Sequence, residues 1–299
     1  MATQTQPAPG SHHPLVQSLH DVVARWPLTA FAVVTLVISW PFGLLPPGPS
    51  LAALVVAAVL DGRAGVRSLL ATTTIWRVGV RWYVVALLGP VVAVAAAVGL
   101  LVAFGGEIQP GSSLFDLPEL GRLFALQVFG VFAGPWEELG WRGYALPRLL
   151  RRTSPLLASL GLGVFWALWH VPMFASGDVP WVDGLLVVVI SILFTAVFLR
   201  TRGSVLIAFL MHAAINASAG VAIELFAGGD RTRMYWALIV VASAIAAVVV
   251  GLRARWWTQR PADPDHGPHA EQPPPYELDT SHVPAEDVPV AGPAGAIDR

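Results

Sequence analysis

The sequence predicts an all-α polytopic membrane protein, about eight transmembrane helices around a polar intramembrane cavity. Three observations carry that expectation. Of 299 residues, 55% are hydrophobic and only 12% charged, against about 25% charged in a soluble protein. Apolar runs of roughly 20 residues recur, the length that crosses a hydrocarbon core of ~30 Å. Trp26, Trp82, Trp181, Trp236 and Trp256 stand at the ends of those runs, where amphipathic indoles collect at the membrane interface.

Composition also excludes several classes. The chain has no cysteine, which removes disulfides, iron–sulfur clusters and thiolate metal sites. The net charge is −1, and no basic face is present for nucleic acid. No basic stretch leads directly into an apolar core at the start, so no cleavable signal peptide is expected.

Along the chain, residues 1–13 are polar and Pro-rich, a composition typical of disorder. Leu15, Val16, Leu19, Val22, Val23 and Trp26 recur at helical spacing and predict an amphipathic helix on the membrane surface. A first span runs from Pro27 to Leu45 and stops at Pro46-Pro47-Gly48-Pro49. Leu51–Leu60 is apolar but short for a second. Residues 61–82 mix Arg63, Arg67, Arg77 and Arg81 with apolar residues and read as surface-lying. The remaining spans are expected at 82–104, 122–150, 156–174, 181–199, 205–226 and 235–252.

Arginine placement tests the count. All 18 basic residues are arginine. Eight spans with a cytoplasmic N-terminus put 13 arginines inside and Arg122, Arg231 and Arg233 outside, as the positive-inside rule requires. A multi-pass protein of the cytoplasmic membrane with both termini inside is therefore expected. Residues 258–299 are acidic and Pro-rich, a disordered tail by composition. Its Pro273-Pro274-Pro275-Tyr276 is what chance supplies in such a tail.

The fourth run contains Glu137-Glu138-Leu-Gly-Trp-Arg142. Each charge at the bilayer centre costs about 2.5–3.5 kcal/mol on insertion scales, so such residues are retained for a reason. Glu138 and Arg142 are four apart and can pair on a helix. Glu137 lies ~100° round and is left to face a polar cavity. A purely structural ion cluster is the competing reading. Two histidines fall within spans, His170 and His212. Asn216 shares a helix face with His212, and Trp166 shares one with His170. Three helices would thus present polar faces, most cheaply towards one cavity. No His-Glu-x-x-His, Gly-x-Ser-x-Gly, intramembrane Asp pair or P-loop is present.

Three motifs, Glu137-Glu138-x-x-x-Arg142, Trp166-Ala-Leu-Trp-His170 and His212-Ala-Ala-Ile-Asn216, together resemble the CPBP family of intramembrane proteases. This family is also known as the CAAX-protease and bacteriocin-processing, or Abi, family, and includes the Ras-converting CAAX prenyl endopeptidase. The resemblance covers about residues 25–255. The family's second motif usually has Phe four residues before the His, where this chain has Trp166. The resemblance implies an eight-helix fold and a protease domain over 27–257, between the segment 1–26 and the tail. It implies that Glu137 activates water with help from His170, that Glu138 and Arg142 pair, and that His212 and Asn216 stabilise the oxyanion. Glu137, His170, His212 and Asn216 could alternatively hold a divalent metal such as Zn²⁺, although an Asn carbonyl is an unusual zinc ligand. The implied substrate is a membrane-associated peptide or protein within the lipid bilayer. The alternative function is a non-catalytic scaffold or bacteriocin-immunity protein of the same fold.

Overall fold

A computed structural model describes residues 14–113, 116–130 and 133–260. The first thirteen residues, Pro273–Tyr276 and the rest of the tail beyond residue 260 lie outside these. Among the described residues every regular element is helical. This is an all-α polytopic membrane protein.

The amphipathic helix expected near the start is α1 (Pro14–Arg25), followed by α2 (Pro27–Ser39). The two are bent by 105°. Pro27 opens α2; it has no N–H to continue α1, and its ring clashes with the preceding turn. A single 3-10 turn, Trp40–Phe42, ends this element, a few residues before the expected Leu45.

Leu51–Leu60 proves to be part of a longer helix. Element α3 runs Gly48–Ala71, interrupted at Gly62 with φ 56° and ψ −141°, a conformation that only glycine takes without strain. Residues expected to lie on the surface therefore continue α3 beyond a kink. Next come α4 (Val80–Ala103) and α5 (Leu117–Phe129).

The run 122–150 is not one helix. It breaks after α5 at Gly130, resumes as a 3-10 turn over Gly134–Glu137, widens into a π-helix over Leu139–Ala145, and closes with α6 (Leu146–Leu150). Pro135 stands near the start of the 3-10 piece, where proline fits because no helical partner is needed for its nitrogen; Pro147 falls where the π-helix passes into α6 and withholds an N–H from the ladder there. The run 156–174 is likewise divided into α7 (Pro155–Trp169) and α8 (Val171–Ser176), with His170 at the junction. Pro172 sits at the start of α8 and prevents α7 from running on. Then follow α9 (Asp183–Arg200), α10 (Val205–Glu224), α11 (Gly228–Gly251) and α12 (Ala254–Thr258).

Among the described residues five helices are long and apolar enough to cross a membrane, or six if the bent α1–α2 pair is one span. The expected eight is larger because two of its members, 122–150 and 156–174, are assembled from shorter pieces.

Helix α10 is the hub, packing against α4, α5 and α9; α9 in turn packs on α7 and α11, and α3 on α2 and the π-helix. The α7–α9 contact is close because Gly163 has no side chain: a Cβ there would come within 3.0 Å of Ser191. Small residues serve this purpose between membrane helices, where packing drives association. Outward-facing Val84, Leu88, Val92, Val164, Val240 and Val248 are exposed, as a lipid-facing surface permits.

Candidate active site

The 3-10 turn and the π-helix carry the two glutamates, and their placement depends on close backbone approach. A Cβ on Gly140 would lie 2.4 Å from the Pro49 carbonyl group, so only glycine lets α3 meet the π-helix here. At that contact Ser50 Oγ donates to the Trp136 carbonyl and accepts from the Gly140 N–H at 3.2 Å. One hydroxyl thus ties the turn before Glu137 to the turn after Glu138.

Glu137 is 3% exposed. Its Oε2 accepts two indole N–H groups, from Trp141 at 2.9 Å and from Trp166 at 2.7 Å. Its Oε1 is not used by these donors. Glu138 is fully buried; its Oε1 accepts from Arg142 Nη1 at 3.0 Å and from His212 Nδ1 at 2.7 Å. The i, i+4 pair expected between Glu138 and Arg142 is therefore formed.

The Arg142 guanidinium lies between two rings, 4.4 Å from the Trp166 centroid and 4.1 Å from that of Phe194. These cation–π contacts face a cation whose Nε and Nη2, like Glu138 Oε2, have no hydrogen-bond partner among the described residues. The aromatic surround continues through Trp141, which meets Phe31, Phe165 and Trp169 edge-on.

The two histidines are oriented differently. His170 Nδ1 is 2.9 Å from the Trp166 carbonyl oxygen. A carbonyl only accepts, so Nδ1 carries the proton and the neutral ring presents a lone pair at Nε2. His212 Nδ1 donates to Glu138, which points its Nε2 the opposite way. The Trp166 ring lies 6.1 Å from His170 and 5.5 Å from His212, centroid to centroid. It links both imidazoles to Glu137.

Three polar atoms converge beside Gly134. A Cβ placed on that glycine would sit 2.8 Å from Asn216 Nδ2, 3.0 Å from His212 Nε2 and 3.3 Å from Glu137 Oε1. The three atoms are thus grouped on the side of Gly134 where any other residue would carry its side chain. Asn216 Nδ2 also donates to Gln127 Oε1 at 3.1 Å, which fixes the amide.

The structure thus brings together Glu137, Glu138, Arg142, His212 and Asn216, with His170 joined through Trp166. Sequence reasoning missed Ser50, Gln127, Trp141 and Gly134. Their partners are distant in sequence or, for Gly134, are defined by a missing side chain. Trp141 alone had a local signal, its i, i+4 spacing from Glu137.

Of the expected metal ligands, Glu137 has Oε2 bonded by two indoles and His170 has Nδ1 bonded to a carbonyl, while Glu137 Oε1 and His170 Nε2 lie outside those bonds. Among the described residues no three His, Cys, Asp or Glu side chains are grouped to hold an ion.

Comparison with known proteins falls on this same region. The segment 119–218 matches the family model described as type II CAAX prenyl endopeptidase, Rce1-like.

The resemblance read from the three motifs holds. The Rce1-like segment contains all of them, together with Gln127, Gly134 and Trp141. The chain is also 33% identical over 180 residues to CAAX prenyl protease 2 of the archaeon Methanococcus maripaludis. That alignment covers 54% of this chain and 63% of the relative's length.

Proposed function

We propose that the protein is an intramembrane endopeptidase, with Glu137 as the base that activates water. The observation that carries this is the convergence of Glu137 Oε1, His212 Nε2 and Asn216 Nδ2 on one point beside Gly134. Its chemical logic needs a base and two donors at one place.

In this reading a water held among these three groups, beside Gly134, gives its proton to Glu137 Oε1, and the hydroxide adds to the scissile carbonyl carbon. The carbonyl oxygen becomes an oxyanion that accepts from Asn216 Nδ2 and His212 Nε2. For Nε2 to donate while Nδ1 is engaged by Glu138, His212 must be the imidazolium. Glu137, Glu138, Arg142 and His212 then sum to zero charge, which suits a buried cluster. Collapse of the tetrahedral intermediate breaks the C–N bond. The proton on Glu137 passes to the leaving amine, and the products are a carboxylic acid and an amine, which ionise to a carboxylate and an ammonium by transfer of the acid's proton. His170 acts behind this chemistry, its ring against Trp166, which binds Glu137. The two indoles hold Glu137 Oε2 so that Oε1 is the working oxygen. No step needs a metal.

The substrate class is a membrane-associated peptide or protein, and the name of the archaeal relative makes a prenylated CAAX-type peptide the first to try. The full-length chain in liposomes, offered such a peptide, should release a new C-terminal fragment detectable by mass spectrometry. Glu137→Gln, which keeps the shape but cannot take a proton, should abolish release with an unchanged melting profile. Full-rate cleavage by that variant would overturn the assignment.

A further inference from the structure

A second site lies on the other side of α10. Helices α4, α9, α10 and α11 enclose a cavity of about 280 Å³ lined by Gly89, Leu193, Met211 and Leu238 among other apolar residues. None of Glu137, Glu138, Arg142, His170, His212 or Asn216 lines it. Met211 precedes His212, and at ~100° per residue the two face different directions. The catalytic cluster and this cavity therefore share a helix but not a face.

The lining is apolar except at one end, where Trp82 and Arg200 meet it. Arg200 ends α9 and is partly buried. It makes no ion pair or hydrogen bond with the described residues, and its guanidinium at the mouth is complementary to an anion. Along α9, Leu186 to Arg200 covers roughly 21 Å at ~1.5 Å per residue. One leaflet of the hydrocarbon core is half of ~30 Å, so a chain lying along the whole cavity would reach past the midplane. An indole and an arginine at the same end mark the level of the lipid headgroups.

We propose that this cavity binds one acyl chain of an anionic phospholipid, with the phosphate held by Arg200. The apolar walls and the cation at a single end fit that one molecule. A neutral lipid would leave Arg200 uncompensated, and a peptide would bring backbone polar groups that the walls cannot satisfy.

The test uses the full chain purified into detergent with equal phosphatidylglycerol and phosphatidylcholine of matched chains, read by native mass spectrometry. The wild type should retain one phosphatidylglycerol in preference by about tenfold. Arg200→Gln should bring the preference close to unity while chain binding persists. Gly89→Leu, whose Cβ enters open space, should reduce retention of both lipids. Equal retention of the two lipids by the wild type would overturn the proposal, as would unchanged retention in both variants. Displacement of phosphatidylglycerol by an uncharged isoprenoid would also overturn it and reassign the cavity to an uncharged chain.

Discussion

His212 Nδ1 sits 2.7 Å from Glu138 Oε1, across 74 residues of sequence. This bond makes Glu138 the shared partner of an imidazole and of Arg142, and it turns His212 Nε2 towards Gly134. In the proposed mechanism Glu138 thereby aims a donor while Glu137 serves as the base.

The first prediction concerns that cluster. Arg142→Ala should destabilise the protein by ~3–5 kcal/mol, because it leaves a buried carboxylate short of its cation. Thermal unfolding in detergent would show the loss. Arg142→Lys should recover it only in part, since a point charge replaces a planar group set between two rings.

Trp166→Phe separates hydrogen bonding from packing. Phe keeps an aromatic ring beside Arg142 but removes the N–H that reaches Glu137 at 2.7 Å. Hydrogen bonds to charged groups contribute about 1.5–3 kcal/mol. The variant should fold, with kcat lowered by at least about tenfold and KM little changed. Wild-type kcat would show that Trp141 alone holds Glu137.

Gly134→Ala fills the convergence point. The new methyl group would stand 2.8 Å from Asn216 Nδ2, so activity should fall by two orders of magnitude or more, roughly what loss of an oxyanion donor costs. Circular dichroism should remain helical. Unaltered turnover would place the reaction elsewhere.

Metal removal should be harmless. Protein purified and assayed in a strong chelator, with metal content checked by elemental analysis, is expected to keep its rate. Loss of activity restored by Zn²⁺ would mean that the donors rearrange around an ion.

Topology remains a proposal from arginine placement. Reporter fusions after Arg25 and after Arg260 should both read as cytoplasmic. Opposite sides would require an odd number of crossings.

What was legible in the sequence was local. Glu138 with Arg142 could be paired from spacing alone, and His212 with Asn216 placed on one face, because helix geometry decides both. The bonds from Trp166 to Glu137 and from His212 to Glu138 join separate elements, and no periodicity encodes them. The apolar run around the glutamates hid its own breaks. Hydropathy averages over Gly130, Gly134, Pro135 and Pro147, although each disfavours a continuous helix. The same averaging overstated the number of full-length crossings. The Ser50 tie was out of reach because an isolated serine in an apolar run carries no pattern.

The π-helix over Leu139–Ala145 has a consequence for how this segment tolerates length changes. Such a turn holds a surplus residue relative to an α-turn. Removing one of its residues other than Gly140, Trp141 or Arg142 would let it tighten to an α-turn, and the pieces on either side would keep nearly their relative rotation. Inserting a residue would instead advance everything upstream by ~100° about the axis, and Glu137 and Glu138 would swing away from the indoles and the imidazole although every side chain was still present. The wide turn acts as angular slack, so this stretch should accept such a deletion more readily than an insertion.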